Sequence, residues 1–128
     1  VGWLKSGDYD GFREDIAGVV RAAGVPIKVM LELPLLDEAE RAAAIELSCE
    51  AGAAYLKNAS SGAIEIANPD SVRYLVERAP KGVLVKASGG ITSREQIVAL
   101  LAAGAAKIGT SAGIAVVTGT TGEHTKSY

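Results

Sequence analysis

Ala103-Gly104-Ala105-Ala106-Lys107-Ile108-Gly109-Thr110-Ser111 decides the fold of this chain, because its opening words already stand at Ala51-Gly52-Ala53-Ala54-Tyr55-Leu56-Lys57. In both places a helix-forming stretch meets a glycine and a short apolar run follows. A glycine there supplies the left-handed conformation that stops a helix. Gly24 and Gly82 mark the same junction, so the four glycines lie 28, 30 and 22 residues apart. The repeated unit is therefore a helix followed by a strand.

Working outward, residues 12–23 are predicted as a helix, with Phe12, Ile16, Val19, Val20 and Ala23 on one face. A strand over 27–33 follows. Asp37 is a candidate N-cap with Glu40 three residues on, opening a helix that runs to 51. Residues 53–59 read as the next strand. Asn68 caps a helix over 69–78 that has Pro69 at its first position. A strand over 83–87, a helix over 93–103 capped by Thr92 or Ser93, a strand over 106–110 and a short helix over 111–117 complete the order. Strands joined by helices run parallel, and parallel sheets are usually covered on both faces. The strands accordingly read as continuous apolar runs. Four strands are too few to close a parallel barrel of eight, and no Gly-x-Gly-x-x-Gly turn follows the first. The pattern alone leaves a four-stranded α/β unit, either an open sheet or half of a barrel.

The chain has 128 residues, 48% hydrophobic and 22% charged, the composition of one globular domain. A full (β/α)8 barrel takes about 250 residues, twice this length. A net charge of −2 with scattered lysines and arginines supplies no basic field for a nucleic acid or an anionic membrane surface. No apolar run approaches the ~20 residues of a membrane span. Cys49 is the one cysteine, so no intrachain disulfide forms; it reads as a small core residue in a reducing compartment. Val1, not Met, opens the sequence, and the chain is expected to be processed or a piece of something longer. Residues 1–117 are expected to form the folded unit and 118–128 a polar tail, which holds the lone His124, read as solvated.

In either architecture ligands bind at the carboxyl ends of the strands. Two lysines near neighbouring strand ends, Lys57 and Lys86, are the sharpest feature there. Burying an ammonium is costly, and two side by side lower each other's pKa. A neutral amine attacks carbonyl carbon to form a Schiff base. The plainer reading is that both amines reach solvent or pair with a carboxylate such as Glu32. Lys28 and Lys107, at the amino ends of their strands, read as surface residues. Ser88-Gly89-Gly90 and Gly109-Thr110-Ser111-Ala112-Gly113 each precede a helix, an arrangement that lets backbone N–H groups approach an anion. The plainer reading of each is a tight turn with an N-cap.

Taken together, Ile27-Lys28-Val29-Met30-Leu31-Glu32, Ala51-Gly52-Ala53 with Lys57, Val85-Lys86-Ala87-Ser88-Gly89-Gly90-Ile91 and Ile108-Gly109-Thr110-Ser111 resemble the second half of the deoxyribose-phosphate aldolase family. Leu4-Lys5-Ser6-Gly7-Asp8-Tyr9 is similar to the segment after that family's fourth strand. The resemblance implies the C-terminal half of a (β/α)8 TIM barrel, βα units five to eight. It implies a class I aldolase that works without metal or other cofactor, cleaving 2-deoxy-D-ribose 5-phosphate reversibly to glyceraldehyde 3-phosphate and acetaldehyde. Lys57 takes the Schiff-base position and Lys86 that of the lysine assisting it. Gly89, Gly90, Ser111 and Ala112 fall at the phosphate; Ser60, and the final Tyr128 reaching in from the tail, are further candidate site residues. Where the family has Lys-Thr-Ser-Thr-Gly, this chain has Lys57-Asn58-Ala59-Ser60-Ser61-Gly62. The expected partner is a small phosphorylated sugar or aldehyde, in the cytoplasm. A half-barrel that self-associates or pairs with a missing N-terminal half, and a related aldolase for other aldehydes, are the alternatives.

Overall fold

The structure is a computed structural model describing residues 1–119. The elements run α1 (Gly2–Lys5), α2 (Tyr9–Ala23), β1 (Lys28–Met30), a 3-10 turn (Leu33–Leu35), α3 (Glu38–Glu50), β2 (Tyr55–Lys57), α4 (Pro69–Arg78), β3 (Leu84–Ser88), α5 (Arg94–Ala102), β4 (Lys107–Gly109) and α6 (Gly113–Thr118). The caps explain most of the helix starts. Asp37 accepts from Glu40 N while the Glu40 side chain accepts from Asp37 N, a reciprocal box. Ser93, not Thr92, caps α5, and Gln96 completes a second box. Asn68 accepts from Ser71 N ahead of Pro69. Gly24, Gly52, Gly82 and Gly104 all have positive φ. Gly82 does so in the loop, because α4 already stops at Ala79 before Pro80.

The sheet order is β1-β2-β3-β4, all parallel. An open doubly wound sheet reverses its strand order at a switch point; this one does not. Each crossover is right-handed by the general rule, so a sequential order stacks the helices on one face. That resolves the two architectures in favour of half of a barrel. The helix-facing side chains Leu56, Val85 and Ala87 are buried in the core with Phe12, Ile16, Ala44, Ile45, Val72, Leu75 and Leu100. Val29, Ile108 and Cys49 pack against them.

The expected continuous apolar strands are corrected here. Exposure alternates along β1 and β3. Alternation sends Lys28, Met30, Tyr55, Lys57, Leu84, Lys86 and Lys107 to the other, concave face. Met30 is 52% and Leu84 44% exposed there, whereas neighbouring Leu56 is fully buried. In a half-barrel only the helix side is covered. Among the described residues no helix is long and apolar enough to cross a membrane. The expected tail, with His124 and Tyr128, lies almost entirely outside the described residues; α6 includes its first residue, Thr118.

Candidate active site

The parallel register pairs Met30 with Lys57, Lys57 with Lys86, and Lys86 with Lys107. Lys57 and Lys86 are thus direct cross-strand neighbours on the concave face, as the strand-end positions implied. Lys57 is 9% exposed. Its Nζ lies 3.6 Å from Met30 Sδ and 3.5 Å from the Ser60 carbonyl, both long contacts. Among the described residues neither lysine is in an ion pair. Burial lowers the Lys57 pKa first, the charge of Lys28 lowers it further, and Glu32 opposes them. Lys86 is lowered by burial, then by Lys28, Lys57 and Lys107. Lys28 is exposed, as its strand position suggested, yet its charge reaches both amines. The cation acting most on Lys57 is therefore Lys28, where the sequence pointed to Lys86.

Glu32 does not neutralise the pair. Both of its carboxylate oxygens accept from Ser60 N at 3.1 Å. Its own backbone is left-handed at φ 52°, the one non-glycine residue with positive φ among those described. Ser60 meets the site through its backbone: the carbonyl faces Lys57 and the N–H meets Glu32. Gly109 gives Lys86 its seat. A Cβ there would stand 2.9 Å from Lys86 Cε and 3.1 Å from Nζ.

Gly89 and Gly90 form a turn pressed against the segment 61–66. A Cβ on Gly89 would lie 2.3 Å from the Glu65 carbonyl oxygen, and one on Gly62 2.8 Å from Gly90 N. Packing alone therefore demands glycine at 89. Gly89 O accepts from Ala67 N at 2.9 Å. In the last turn Ala112 N donates to Thr110 Oγ1 at 2.9 Å, while the Thr110 hydroxyl donates to Ile91 O. The Ala112 amide is thereby engaged internally, and Ser111 is exposed. The described residues contain no group of three or more His, Cys, Asp or Glu able to hold a metal ion.

Sequence reading missed Asn58 and Glu65, which stand behind the lysines. Asn58 is fully buried. Its Nδ2 donates to Glu65 Oε2 at 2.6 Å and to Ser88 O at 3.0 Å, and its Oδ1 accepts from Ser88 N at 3.0 Å. A second polar residue beside Lys57, inside the predicted strand 53–59, was the available signal. For Lys28 the signal was spacing: Lys28, Lys57, Lys86 and Lys107 recur almost in step with Gly24, Gly52, Gly82 and Gly104.

Sequential parallel strands, helices on one face and paired lysines at the strand ends define a half-barrel of the aldolase-bearing (β/α)8 class. No protein-family model matches the chain. Over 120 residues it is 45% identical to the deoxyribose-phosphate aldolase of Brevibacillus brevis, covering 93% of this chain and 54% of that one. The enzyme of the same name from Natronomonas pharaonis is 46% identical over 119 residues, covering 93% and 53%. A solved aldolase designated QR15 superposes with a TM-score of 0.83 at 34% identity, covering 92% of this chain and 54% of that one. The tetrameric deoxyribose phosphate aldolase from Aeropyrum pernix superposes with a TM-score of 0.73 at 35% identity, covering 83% and 47%. The chain matches the carboxyl-terminal half of the deoxyribose-phosphate aldolase family. It spans about half the length of the curated relatives it matches.

Proposed function

We propose that this chain is the carboxyl-terminal half of a class I aldolase that reversibly cleaves 2-deoxyribose 5-phosphate. The observation carrying the reading is the seat of Lys57: buried, without an ion-pair partner among the described residues, and in register with Lys86. The neutral Lys57 amine adds to the C1 carbonyl; the carbinolamine hydroxyl takes up a proton and leaves as water, which gives a protonated imine. Removal of the C3 hydroxyl proton lets the C2–C3 bond break. Its electrons pass into the imine to form an enamine, and C3 becomes the aldehyde of glyceraldehyde 3-phosphate. Protonation at C2 and hydrolysis release acetaldehyde and the free amine. Lys86 lies beside this path and is the group assigned to move the proton. Gly89, Gly90 and Ser111 are assigned to the phosphate, whose binding would orient the sugar. Ala112 is a weaker member of that set, because its N–H is already engaged. The setting of this reading is deoxyribonucleotide breakdown in the cytoplasm.

Incubation with acetaldehyde and borohydride tests it. The expected result is an ethyl adduct mapped to Lys57 by mass spectrometry, formed much more slowly in Lys86→Leu. A folded chain that gives no adduct overturns the reading. A second reading is a non-catalytic half-barrel that pairs with another half, favoured by the uncovered concave face. A third is a Schiff-base aldolase for other aldehydes, favoured by the altered residues after Lys57. Sizing chromatography tests the second, and a panel of acceptor aldehydes the third.

A further inference from the structure

The segment after Lys57 and the Gly89–Gly90 turn belong to different strands, and one side chain joins them. The Asn58 amide donates to Ser88 O and accepts from Ser88 N, both at 3.0 Å, so it pairs with both main-chain polar groups of Ser88 as a residue of a neighbouring strand would. It adds a side-chain rung one residue beyond the β2–β3 ladder. Its remaining N–H is held at 2.6 Å by Glu65, whose other oxygen accepts from the Ser71 hydroxyl and from Asn68 Nδ2 at 3.5 Å. The Asn58 backbone carbonyl meanwhile accepts from Leu33 N at 3.1 Å. Both side-chain ends are thus satisfied, at a residue with no exposed surface. Such a fully paired buried amide fixes geometry more than it adds stability, because a partly made network is costly. The turn is gripped from its other side by the close approach of Glu65 O and by the Ala67 N–H bond to Gly89 O.

We propose that Asn58 is a positioning residue: it locks the Gly89–Gly90 turn to the strand end that carries Lys57. It thereby sets the span between the reacting amine and the phosphate of the substrate. The inference rests on the aldolase reading. It goes beyond that reading by assigning the coupling of the two subsites to a residue that touches neither the reacting carbon nor the phosphate.

The test compares cleavage of 2-deoxyribose 5-phosphate with that of 2-deoxyribose, alongside acetaldehyde trapping at Lys57. Asn58→Ala is expected to raise KM for the phosphorylated sugar about tenfold and change the unphosphorylated one less than about threefold. Trapping, which needs only the amine, is expected to stay within about threefold of wild type. Asn58→Asp keeps the acceptor for Ser88 N but removes both donors and sets a carboxylate against Glu65, so it is expected to lose the phosphate preference as well. Adding Glu65→Gln supplies a donor in place of the repulsion, and part of the preference is expected to return. This pair keeps the test open if the alanine variant does not fold. Equal loss on both sugars, or an unchanged preference in every folded variant, overturns the assignment while leaving the aldolase reading intact. A wild type that traps no acetaldehyde, or that shows no preference for the phosphate, overturns the reading and the assignment with it.

Discussion

Lys57 is held at a depressed pKa mainly by burial, and that has a consequence for stability. Well below the depressed value the amine is charged in both folded and unfolded chains, and the folded state bears the full burial penalty. Between that value and the ordinary lysine pKa of about 10.4, the unfolded chain binds a proton that the folded one lacks, so stability rises with pH. Above about 10.4 both states are neutral and the penalty is gone. Lys57→Met is therefore expected to stabilise the chain by about 1 kcal/mol at pH 7, because an apolar side chain replaces an unpaired buried charge. The gap should close as the pH approaches that of the free amine. Urea unfolding of both proteins at neutral and alkaline pH measures it, and a constant gap would refute the cause given. The lysine positions were legible in the sequence because a cation inside a predicted strand is conspicuous. The role of Glu32 was not: its carboxylate binds the Ser60 amide instead of the neighbouring amines, through a left-handed backbone that no local pattern announces.

At the scale of elements, side-chain caps made the helices readable in advance. Asp37 and Glu40 satisfy each other's exposed backbone donors, and Lys5 reaches Glu40 at 2.5 Å from α1. That lysine is the first cause of the lowered Glu40 pKa, followed by the Asp37 amide. Asp37→Ala is expected to cost about 1 kcal/mol, read as a lower urea midpoint with an unchanged slope. α1 itself went unread, because a four-residue helix has too little periodicity to register. The strands were located but their two faces were misjudged. Val, Ile, Leu and Ala fill both faces often enough to look continuous, and only the placement of the helices tells which face is covered. The Gly89–Gly90 turn was legible as a glycine pair, yet Gly89 is required by backbone packing against Glu65, a contact between segments that no spacing in the sequence reveals.

For the whole molecule, the concave face carries Lys28, Lys57, Lys86 and Lys107 together with exposed Met30 and Leu84. Apolar exposure favours association, while four cations oppose the approach of an identical face. Screening by salt weakens only the second effect. Self-association through this face should therefore grow between low and about 0.5 M salt, where the screening length falls to a few ångströms. Sedimentation velocity at two ionic strengths checks this, and an oligomer that dissociates in salt would exclude the concave face as its interface. The sequence by itself determined the order of helices and strands, their parallel sense and the lysines at the strand ends. These follow from periodicity, caps and glycine stops acting over a few residues. The half-barrel, which pattern alone left open against an open sheet, was implied by the family resemblance and is what the sheet order shows; only the tertiary structure left the lysine face uncovered and set Asn58 between two strand ends. Those outcomes depend on which segments meet across tens of residues, and short-range pattern carries no record of that.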